Sequence, residues 1–255
     1  MTNIDEVVIL AGGKGTRLTE ETTLIPKPMV TIGGIPIIEH IMNIYVKYKI
    51  NNFVICLGYK GEVIKNYFSN YQNNNSDIEI NFKNNSITYL KKKKIEWKIK
   101  LINTGKLTGT AGRLKLIRDF IKNENFFFTY GDGLADINLD LLRKNHIKSK
   151  KILTLTSIQN SSRFGIIVKK KNKFLFTEKP LFKESRINGG FGISNKKIFK
   201  YISSNKEMLE SGPFEKISKD GQLNSYEHNG FWKSMDTLRD KIELEEIYKK
   251  NKKKW

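Results

Sequence analysis

The fold is decided near the start of the chain, where residues 7–18 read VVILAGGKGTRL. The four apolar residues Val7 to Leu10 are typical of a strand that is buried on both faces of a parallel sheet. Glycines directly after such a strand let main-chain N–H groups approach a ligand closely, and Lys14, Thr16 and Arg17 add donors for an anion. The stretch therefore predicts a phosphate-binding loop at the end of a first, central strand.

The loop taken by itself has two explanations. It follows a strand as a dinucleotide fingerprint does, yet neither Gly-x-Gly-x-x-Gly nor the Gly-Lys-Ser/Thr ending of a P-loop is present. A structural turn explains the loop equally well. Lys27 favours the phosphate interpretation, because Pro26 and Pro28 on either side restrict the backbone and hold its charge in place.

Helical and strand patterns alternate in the first half of the chain and give way to shorter strands in the second. Apolar spacing predicts helices after Pro36 and at 62–71, 112–122 and 238–249. It predicts strands at 53–57, 78–82, 126–130, 152–156, 165–168, 174–176 and 190–193, and a strand or hairpin at 87–101. We expect a single α/β domain over residues 1–255, with a Rossmann-like, mixed but mostly parallel sheet flanked by helices, an antiparallel extension and a strand-rich C-terminal half.

The chain of 255 residues carries a formal net charge of +20, which raises nucleic acid or an anionic membrane as a partner. The excess lies in lysine-rich runs that are typical of solvated surface, and no RNP, zinc-finger or helix-turn-helix signature is present. No stretch approaches the roughly 20 apolar residues of a membrane span or forms a signal peptide. The single cysteine, Cys56, lies in an apolar run. We expect a cytoplasmic protein with neither nucleic acid nor a membrane as partner.

Two aspartates are candidates for a metal site. Asp132 stands between two glycines after the strand at 126–130, and Asp236 stands in Met-Asp-Thr before the last helix. Mg²⁺ prefers a few carboxylates together with phosphate oxygens and water. Each aspartate also has a structural explanation, since Gly-Asp-Gly is good turn chemistry and Asp236 could cap the following helix. Only in combination with the phosphate loop do they predict a metal.

Further polar residues stand at strand ends in the second half. Glu178 and Lys179 close one strand, and Asn188 and Gly189 open another. Their carboxylate, ammonium and amide groups suit the hydroxyls and phosphate of a sugar, although each segment alone is an ordinary strand-end loop. No histidine has metal-ligand spacing, and no Gly-x-Ser-x-Gly motif occurs. We therefore expect no covalent catalysis.

Together these segments resemble the sugar nucleotidyltransferases over about residues 7–248. The general pattern of that family is represented by LAGGKGTRL at 10–18, PKPM at 26–29, YGDG at 130–133 and EKP at 178–180. Its cytidylyltransferase branch is represented by NTG at 103–105, GRLK at 112–115, RFG at 163–165, INGGF at 187–191, GFW at 230–232 and MDTLRDK at 235–241. The branch commonly has glycine where Ala111 stands, which places an extra methyl group near the expected base pocket.

The resemblance implies a role for each of these residues. The implied nucleotide-binding residues are Leu10, Ala11, Gly12, Gly13, Thr16, Arg17, Lys27, Thr108, Gly112, Arg113 and Asp132. The implied sugar-phosphate-binding residues are Tyr130, Gly131, Glu178, Lys179, Asn188 and Gly189. Asp132 and Asp236 are implied to bind Mg²⁺, and Arg17, Lys27 and Lys179 to act in catalysis. The nucleotide-binding part would cover about residues 1–135 and the sugar-phosphate-binding part about 136–255.

The implied reaction joins CTP to a sugar 1-phosphate, α-D-glucose 1-phosphate, and gives CDP-glucose and pyrophosphate. It would depend on Mg²⁺ and proceed by in-line attack without a covalent intermediate. The resemblance also implies a homo-oligomer. Two alternatives stay open: a nucleotidyltransferase that uses another triphosphate or phosphorylated acceptor, and a non-catalytic nucleotide-sensing protein on the same fold.

Overall fold

The computed structural model of the protein describes residues 4–161, 166–170, 173–177, 181–250 and 254–255. The strands are β1 (Glu6–Ala11), β2 (Thr31–Ile32), β3 (Ile35–Pro36), β4 (Asn52–Leu57), β5 (Asp77–Asn81), β6 (Ser86–Lys91), β7 (Lys98–Asn103), β8 (Asn125–Tyr130), β9 (Gly133–Ala135), β10 (Leu153–Ser161), β11 (Ile166–Lys170), β12 (Lys173–Thr177), β13 (Leu181–Asn195), β14 (Leu223–His228) and β15 (Trp232–Ser234). The helices are α1 (Thr19–Thr22), α2 (Ile37–Val46), α3 (Gly61–Ser69), α4 (Tyr71–Asn74), α5 (Thr110–Leu116), α6 (Leu139–Ser149), α7 (Glu215–Lys219) and α8 (Leu238–Lys249). Short 3₁₀ turns cover Lys27–Met29, Arg118–Phe120 and Lys196–Tyr201.

A seven-stranded sheet with the order β14-β10-β13-β8-β1-β4-β7 forms the centre of the molecule. β1 pairs in parallel with β4 and β8, and β4 with β7. β13 runs antiparallel to both β8 and β10, while β14 is parallel to β10. The expected mixed, mostly parallel sheet is therefore confirmed. Its antiparallel strand lies inside the sheet, between the two halves, rather than extending an edge.

Side chains on the two faces of β1 enter two separate cores. Val7 and Ile9 pack in a cluster that includes Ile41 of α2, whereas Val8 and Leu10 pack in a cluster that includes Leu114 of α5. Because successive strand residues point to opposite faces, a strand covered on both sides must be apolar throughout. This arrangement explains the uninterrupted apolar run at the start of the chain and fixes the loop after β1 at the edge of the sheet.

Four predicted elements differ from the structure in their pairing or their extent. The strand at 78–82 and the first part of 87–101 pair with each other as the hairpin β5–β6, outside the central sheet, while β7 takes the sheet edge. The helix expected over 112–122 ends at Leu116 and continues as a 3₁₀ turn. The helix expected over 62–71 ends at Ser69, and α4 follows it. The strand predictions at 165–168 and 174–176 fall wholly or partly within β11 and β12, which pair with each other.

None of the helices in the described ranges combines the length and the apolarity that crossing a membrane requires. Cys56 is buried within β4 as a free thiol. Burial raises the pKa of this thiol to about 12, so the group stays protonated and belongs to the core.

Candidate active site

The strand order of the sheet changes direction between β1 and β8. From β1 the chain continues outward to β4 and β7, whereas β8 returns to the other side of β1. In open α/β sheets, ligands bind at such a point, beyond the carboxyl ends of the strands. The glycine-rich loop follows β1 and Asp132 follows β8, so both predicted segments meet at this position.

Two adjoining clefts open at this edge of the sheet. The larger cleft has a volume of about 420 Å³ and is lined by Leu10, Ala11, Gly12, Gly13, Gly15, Thr16, Arg17, Lys27, Pro28, Thr108, Thr110, Arg113, Tyr130, Gly131, Asp132 and Met208. The smaller cleft has a volume of about 330 Å³ and is lined by Arg17, Thr129, Tyr130, Asp132, Gly133, Asn188, Gly189, Gly190, Phe191, Glu210, Trp232, Ser234 and Asp236. Arg17, Tyr130 and Asp132 line both clefts and form their boundary.

A short antiparallel pair of strands brings the two aspartates together. β9 begins directly after Asp132, and β15 pairs with it, with Gly133 opposite Ser234. The main-chain N–H of Met235 then donates to the carbonyl of Asp132 at 2.9 Å. Two residues 104 positions apart along the chain are thus held side by side by main-chain geometry. The two aspartates predicted as a pair are brought into one site.

The Asp236 carboxylate faces this site and does not cap the helix that follows. Thr237 is the N-cap of α8, and it forms a reciprocal capping box with Asp240. Asp236 instead accepts from the Lys27 ammonium, from Ser234 Oγ at 3.1 Å and from the Arg17 guanidinium at 3.0 Å. Burial opposes its ionisation, but the Lys27 ammonium and the Arg17 charge outweigh that effect and lower the pKa of the carboxyl. The helix-capping explanation for this residue is wrong.

Lys27 connects the two carboxylates. Its Nζ lies 2.6 Å from Asp132 Oδ2 and 2.8 Å from Asp236 Oδ1. The residue occupies the 3₁₀ turn between Pro26 and Pro28, and only 11% of its side chain is exposed. The prolines therefore fix the backbone of Lys27 beside the cleft, as the sequence predicted, and burial keeps its side chain close to the two aspartates.

The carboxylate pair fits a divalent cation. Both aspartates already direct oxygens at one positive group, and oxygen donors without sulfur or imidazole suit a hard ion. In the described ranges no group of three or more His, Cys, Asp or Glu side chains could hold a metal ion. The remaining ligands would come from phosphates and water, as is usual for Mg²⁺.

The glycine-rich loop is shaped by two close approaches. A side chain at Gly12 would put its Cβ 2.1 Å from the Arg113 guanidinium. Gly15 has a positive φ of 66° and lies against Thr22 and Lys27. Nothing lies within 4 Å of the position a Cβ would take at Gly13, so at this glycine the backbone is open toward the cleft.

Arg113 supports the loop from behind. Its guanidinium donates to the carbonyls of Gly12 at 2.9 Å, Leu57 at 3.1 Å and Gly105 at 2.8 Å, and to Thr104 Oγ1 at 2.7 Å. The residue is 3% exposed, and burial lowers the pKa of its guanidinium. Arg113 lines the larger cleft as expected. Its four hydrogen bonds to protein atoms also hold the loop in position.

A segment without any recognised sequence motif forms the wall of the larger cleft opposite the glycine-rich loop. Residues 203–210, here called the far wall, contact α5 through main-chain bonds from Gly109 N to Asn205 O and from Ala111 N to Glu207 O. Gly112 is absent from the cleft lining, because its backbone packs against Asn205. Ala111 is buried in the core that contains Val8 and Leu114 and does not line the larger cleft. Its methyl group therefore does not enter the expected base pocket.

Met208 and Glu210 are the side chains that the far wall contributes to the clefts. Glu210 accepts a short hydrogen bond from the Tyr130 hydroxyl and a second from Thr110 Oγ1 at 3.2 Å. Burial and then the Glu210 charge raise the pKa of Tyr130. No motif marks these two residues. The only signal was the pair of glycines at 109 and 112, which permit the close approach of the wall.

The predicted sugar-side residues are divided between the clefts. Asn188 and Gly189 line the smaller cleft, Tyr130 lines both, and Gly131 lines only the larger one. The Trp232 indole N–H donates to the carbonyl of Gly189 at 2.7 Å, which leaves its ring as an apolar surface in the smaller cleft. Glu178 and Lys179 lie outside the described residues.

Comparison with known proteins places the chain among enzymes that transfer nucleotidyl groups. The nucleotidyl transferase family model matches residues 6–250, and the chain belongs to that family. It is 42% identical to the glucose-1-phosphate cytidylyltransferases of Salmonella typhimurium and Salmonella typhi, over 252 residues covering 98% of each chain. A crystal structure of UDP-glucose pyrophosphorylase complexed with UDP-glucose superposes with a TM-score of 0.68 at 18% identity, covering 98% of this chain and 100% of that one. The family generally uses a divalent metal.

Proposed function

We propose that the protein is a glucose-1-phosphate cytidylyltransferase, which converts CTP and α-D-glucose 1-phosphate into CDP-glucose and pyrophosphate. The observation that carries the proposal is the junction of the two clefts. There a glycine-rich loop, two cationic side chains and a pair of aspartates share one boundary. The relatives of the chain from Salmonella support this choice of substrates.

The larger cleft would bind the triphosphate. Main-chain N–H groups of the loop would bind phosphate oxygens, and the space beside Gly13 is open, since nothing lies within 4 Å of its Cβ position. Arg17 is 73% exposed at its side chain and can reach a phosphate directly. The smaller cleft would bind the sugar phosphate, with the Trp232 ring as an apolar surface and Asn188 as a hydrogen-bonding group.

The reaction would be in-line attack of the sugar phosphate oxygen on the α-phosphorus of CTP. The chain would contribute positioning, together with the charges of Arg17 and Lys27 on the departing pyrophosphate. When bound by Asp132 and Asp236, Mg²⁺ would supply charge neutralisation and polarisation of phosphate oxygens. Lys179 would add a further charge on the sugar side.

We also propose that residues 1–135 bind mainly nucleotide, that residues 136–255 bind mainly sugar phosphate, and that the protein is a cytoplasmic homo-oligomer. Met208 modifies this division, since it adds a contact from the second half to the larger cleft.

Exposed apolar side chains on the β5–β6 hairpin, such as Phe82 and Leu90, offer a surface for association of the proposed oligomer. Light scattering coupled to size exclusion would measure the mass, and a monomer at micromolar concentration would contradict the oligomer.

The test of the function is pyrophosphate release with CTP, UTP, dTTP, ATP or GTP, each with glucose 1-phosphate and Mg²⁺. EDTA serves as the metal-free control, and mass spectrometry identifies the product. We expect CDP-glucose only with CTP and only with metal. Turnover with another triphosphate would overturn the base assignment while leaving the mechanism in place. No pyrophosphate release with any of a wide panel of sugar phosphates would favour a nucleotide-sensing protein.

A further inference from the structure

Lys27 occupies the position between the two aspartates where a metal ion would be coordinated. Its ammonium contacts Asp132 Oδ2 at 2.6 Å and Asp236 Oδ1 at 2.8 Å, and Asp236 Oδ1 also accepts from Arg17 at 3.0 Å. Two negative and two positive groups meet at this point. The local charge is therefore already balanced by the protein itself.

A divalent cation and this ammonium compete for the negative charge of the same two carboxylates. Mg²⁺ requires oxygen ligands at about 2.0–2.1 Å. A lysine hydrogen-bonded to those oxygens would place a second positive charge close to the ion, and the two charges would repel each other. Lys27 is mostly buried, with 11% of its side chain exposed. The lysine therefore opposes binding of the cation.

We propose that Lys27 is a built-in counter-ion that closes the metal site until a triphosphate enters the larger cleft. The proposal rests on the proposed function, in which Asp132 and Asp236 are the metal ligands. Lys27 and Arg17 both line the larger cleft; Lys27 contacts both carboxylates, and Arg17 contacts that of Asp236. Phosphate oxygens in that cleft compete for the two cations, and a lysine on a flexible four-carbon stem can turn from one acceptor to the other.

The arrangement makes metal and triphosphate binding cooperative. A triphosphate that draws Lys27 away leaves two adjacent carboxylates without a counter-charge, which strengthens their affinity for a cation. By linkage, the metal strengthens triphosphate binding by the same factor. The enzyme then loads its two partners together, and metal alone binds weakly. The substitution of Lys27 by a neutral residue removes the competition and opens the site.

The experiment measures Mn²⁺ binding to the nucleotide-free protein by electron paramagnetic resonance of the free ion. We expect weak binding to the wild-type protein and binding at least about tenfold tighter for Lys27→Met. Lys27→Gln, which keeps hydrogen-bond donors without the charge, is the second variant in case Met destabilises the fold, and thermal unfolding checks both. Lys241→Met is the matched control, because it removes a lysine that pairs with Glu21 and contacts neither aspartate. It should change Mn²⁺ affinity by less than about twofold.

Failure of this inference and failure of the metal assignment give different results. Equal or weaker Mn²⁺ binding in both Lys27 variants, with Asp132→Asn still abolishing Mn²⁺ binding in the presence of CTP, would overturn the counter-ion role alone. Unchanged Mn²⁺ binding in Asp132→Asn with CTP, after correction for Mn²⁺ held by CTP itself, would overturn the metal assignment. Tighter binding in Lys27→Met that is lost again in Lys27→Met/Asp132→Asn establishes the proposal.

Discussion

The two walls of the larger cleft are built on different principles. The glycine-rich loop presents cationic side chains and open backbone to the cleft, and Arg17 is 73% exposed at its side chain. The far wall at residues 203–210 is fixed to α5 by main-chain hydrogen bonds at Gly109 and Ala111. One wall carries the charges that a phosphate needs, and the other sets the width of the cleft. Changes in the loop should alter turnover with the fold intact, whereas changes behind the far wall should first alter stability.

The largest effect is expected at the carboxylates that adjoin the loop. Asp132→Asn or Asp236→Asn removes one charge from the proposed metal site and should lower kcat by roughly a hundredfold or more. Lys27 keeps one carboxylate partner in either variant, so the unfolding temperature should change little. Steady-state kinetics with circular dichroism melting measures both properties.

Asp136→Asn is the matched control for these variants. Asp136 lies four residues beyond Asp132, contacts His228 at 3.1 Å and lines neither cleft. This variant should keep most of its turnover. Near-normal turnover in both Asp132→Asn and Asp236→Asn would contradict the metal site.

A smaller effect is expected for Arg17→Ala in the loop itself. A hydrogen bond to a charged group contributes about 1.5–3 kcal/mol, so KM for CTP should rise by roughly tenfold to a hundredfold. Arg118→Ala is the control, since Arg118 is an exposed arginine that pairs with its neighbour Asp119. Initial-rate measurements that vary each substrate in turn separate the two subsites. A change confined to the KM for glucose 1-phosphate would mean that the two subsites are reversed.

Two glycine substitutions compare the walls directly. At Gly112 a Cβ would lie 2.0 Å from the carbonyl oxygen of Asn205, which is backbone and cannot turn aside. Gly112→Ala should cost about 1–3 kcal/mol of unfolding free energy. At Gly13 a Cβ meets nothing within 4 Å, so Gly13→Ala should stay within about 0.5 kcal/mol of the wild type and raise KM for CTP. Urea unfolding measures the unfolding free energy of each variant. Equal values for Gly112→Ala and Gly13→Ala would contradict the proposed difference between the two walls.

The same distinction explains how far the sequence predicted the site. The loop, Lys27 and the aspartates were found because phosphate and metal binding require particular residue types next to strand ends. Met208 and Glu210 were not found, because the far wall is held by main-chain atoms that any residue supplies. Arg113 was predicted to bind the nucleotide; its hydrogen bonds to the carbonyls of Leu57, Gly105 and Gly12 add a role in holding the loop, which no local pattern reveals. The sheet was predicted by its apolar runs, but the central place of β13 depends on pairing between distant strands.

The smallest effect is expected where the far wall meets β8. Glu210 accepts a hydrogen bond from the Tyr130 hydroxyl at the boundary of the two clefts. This contact would fix the distance between the far wall and the end of β8. Glu210→Gln and Tyr130→Phe should each raise the KM of either substrate by about twofold to tenfold. The KM of the double variant should not exceed that of the more impaired single variant, because the effects of two residues in contact are not additive. Glu215→Gln, on an exposed residue of α7, is the control. Additive effects in this double-mutant cycle would show that Glu210 acts on the substrate independently of Tyr130, and the far wall would then share the chemical role of the loop.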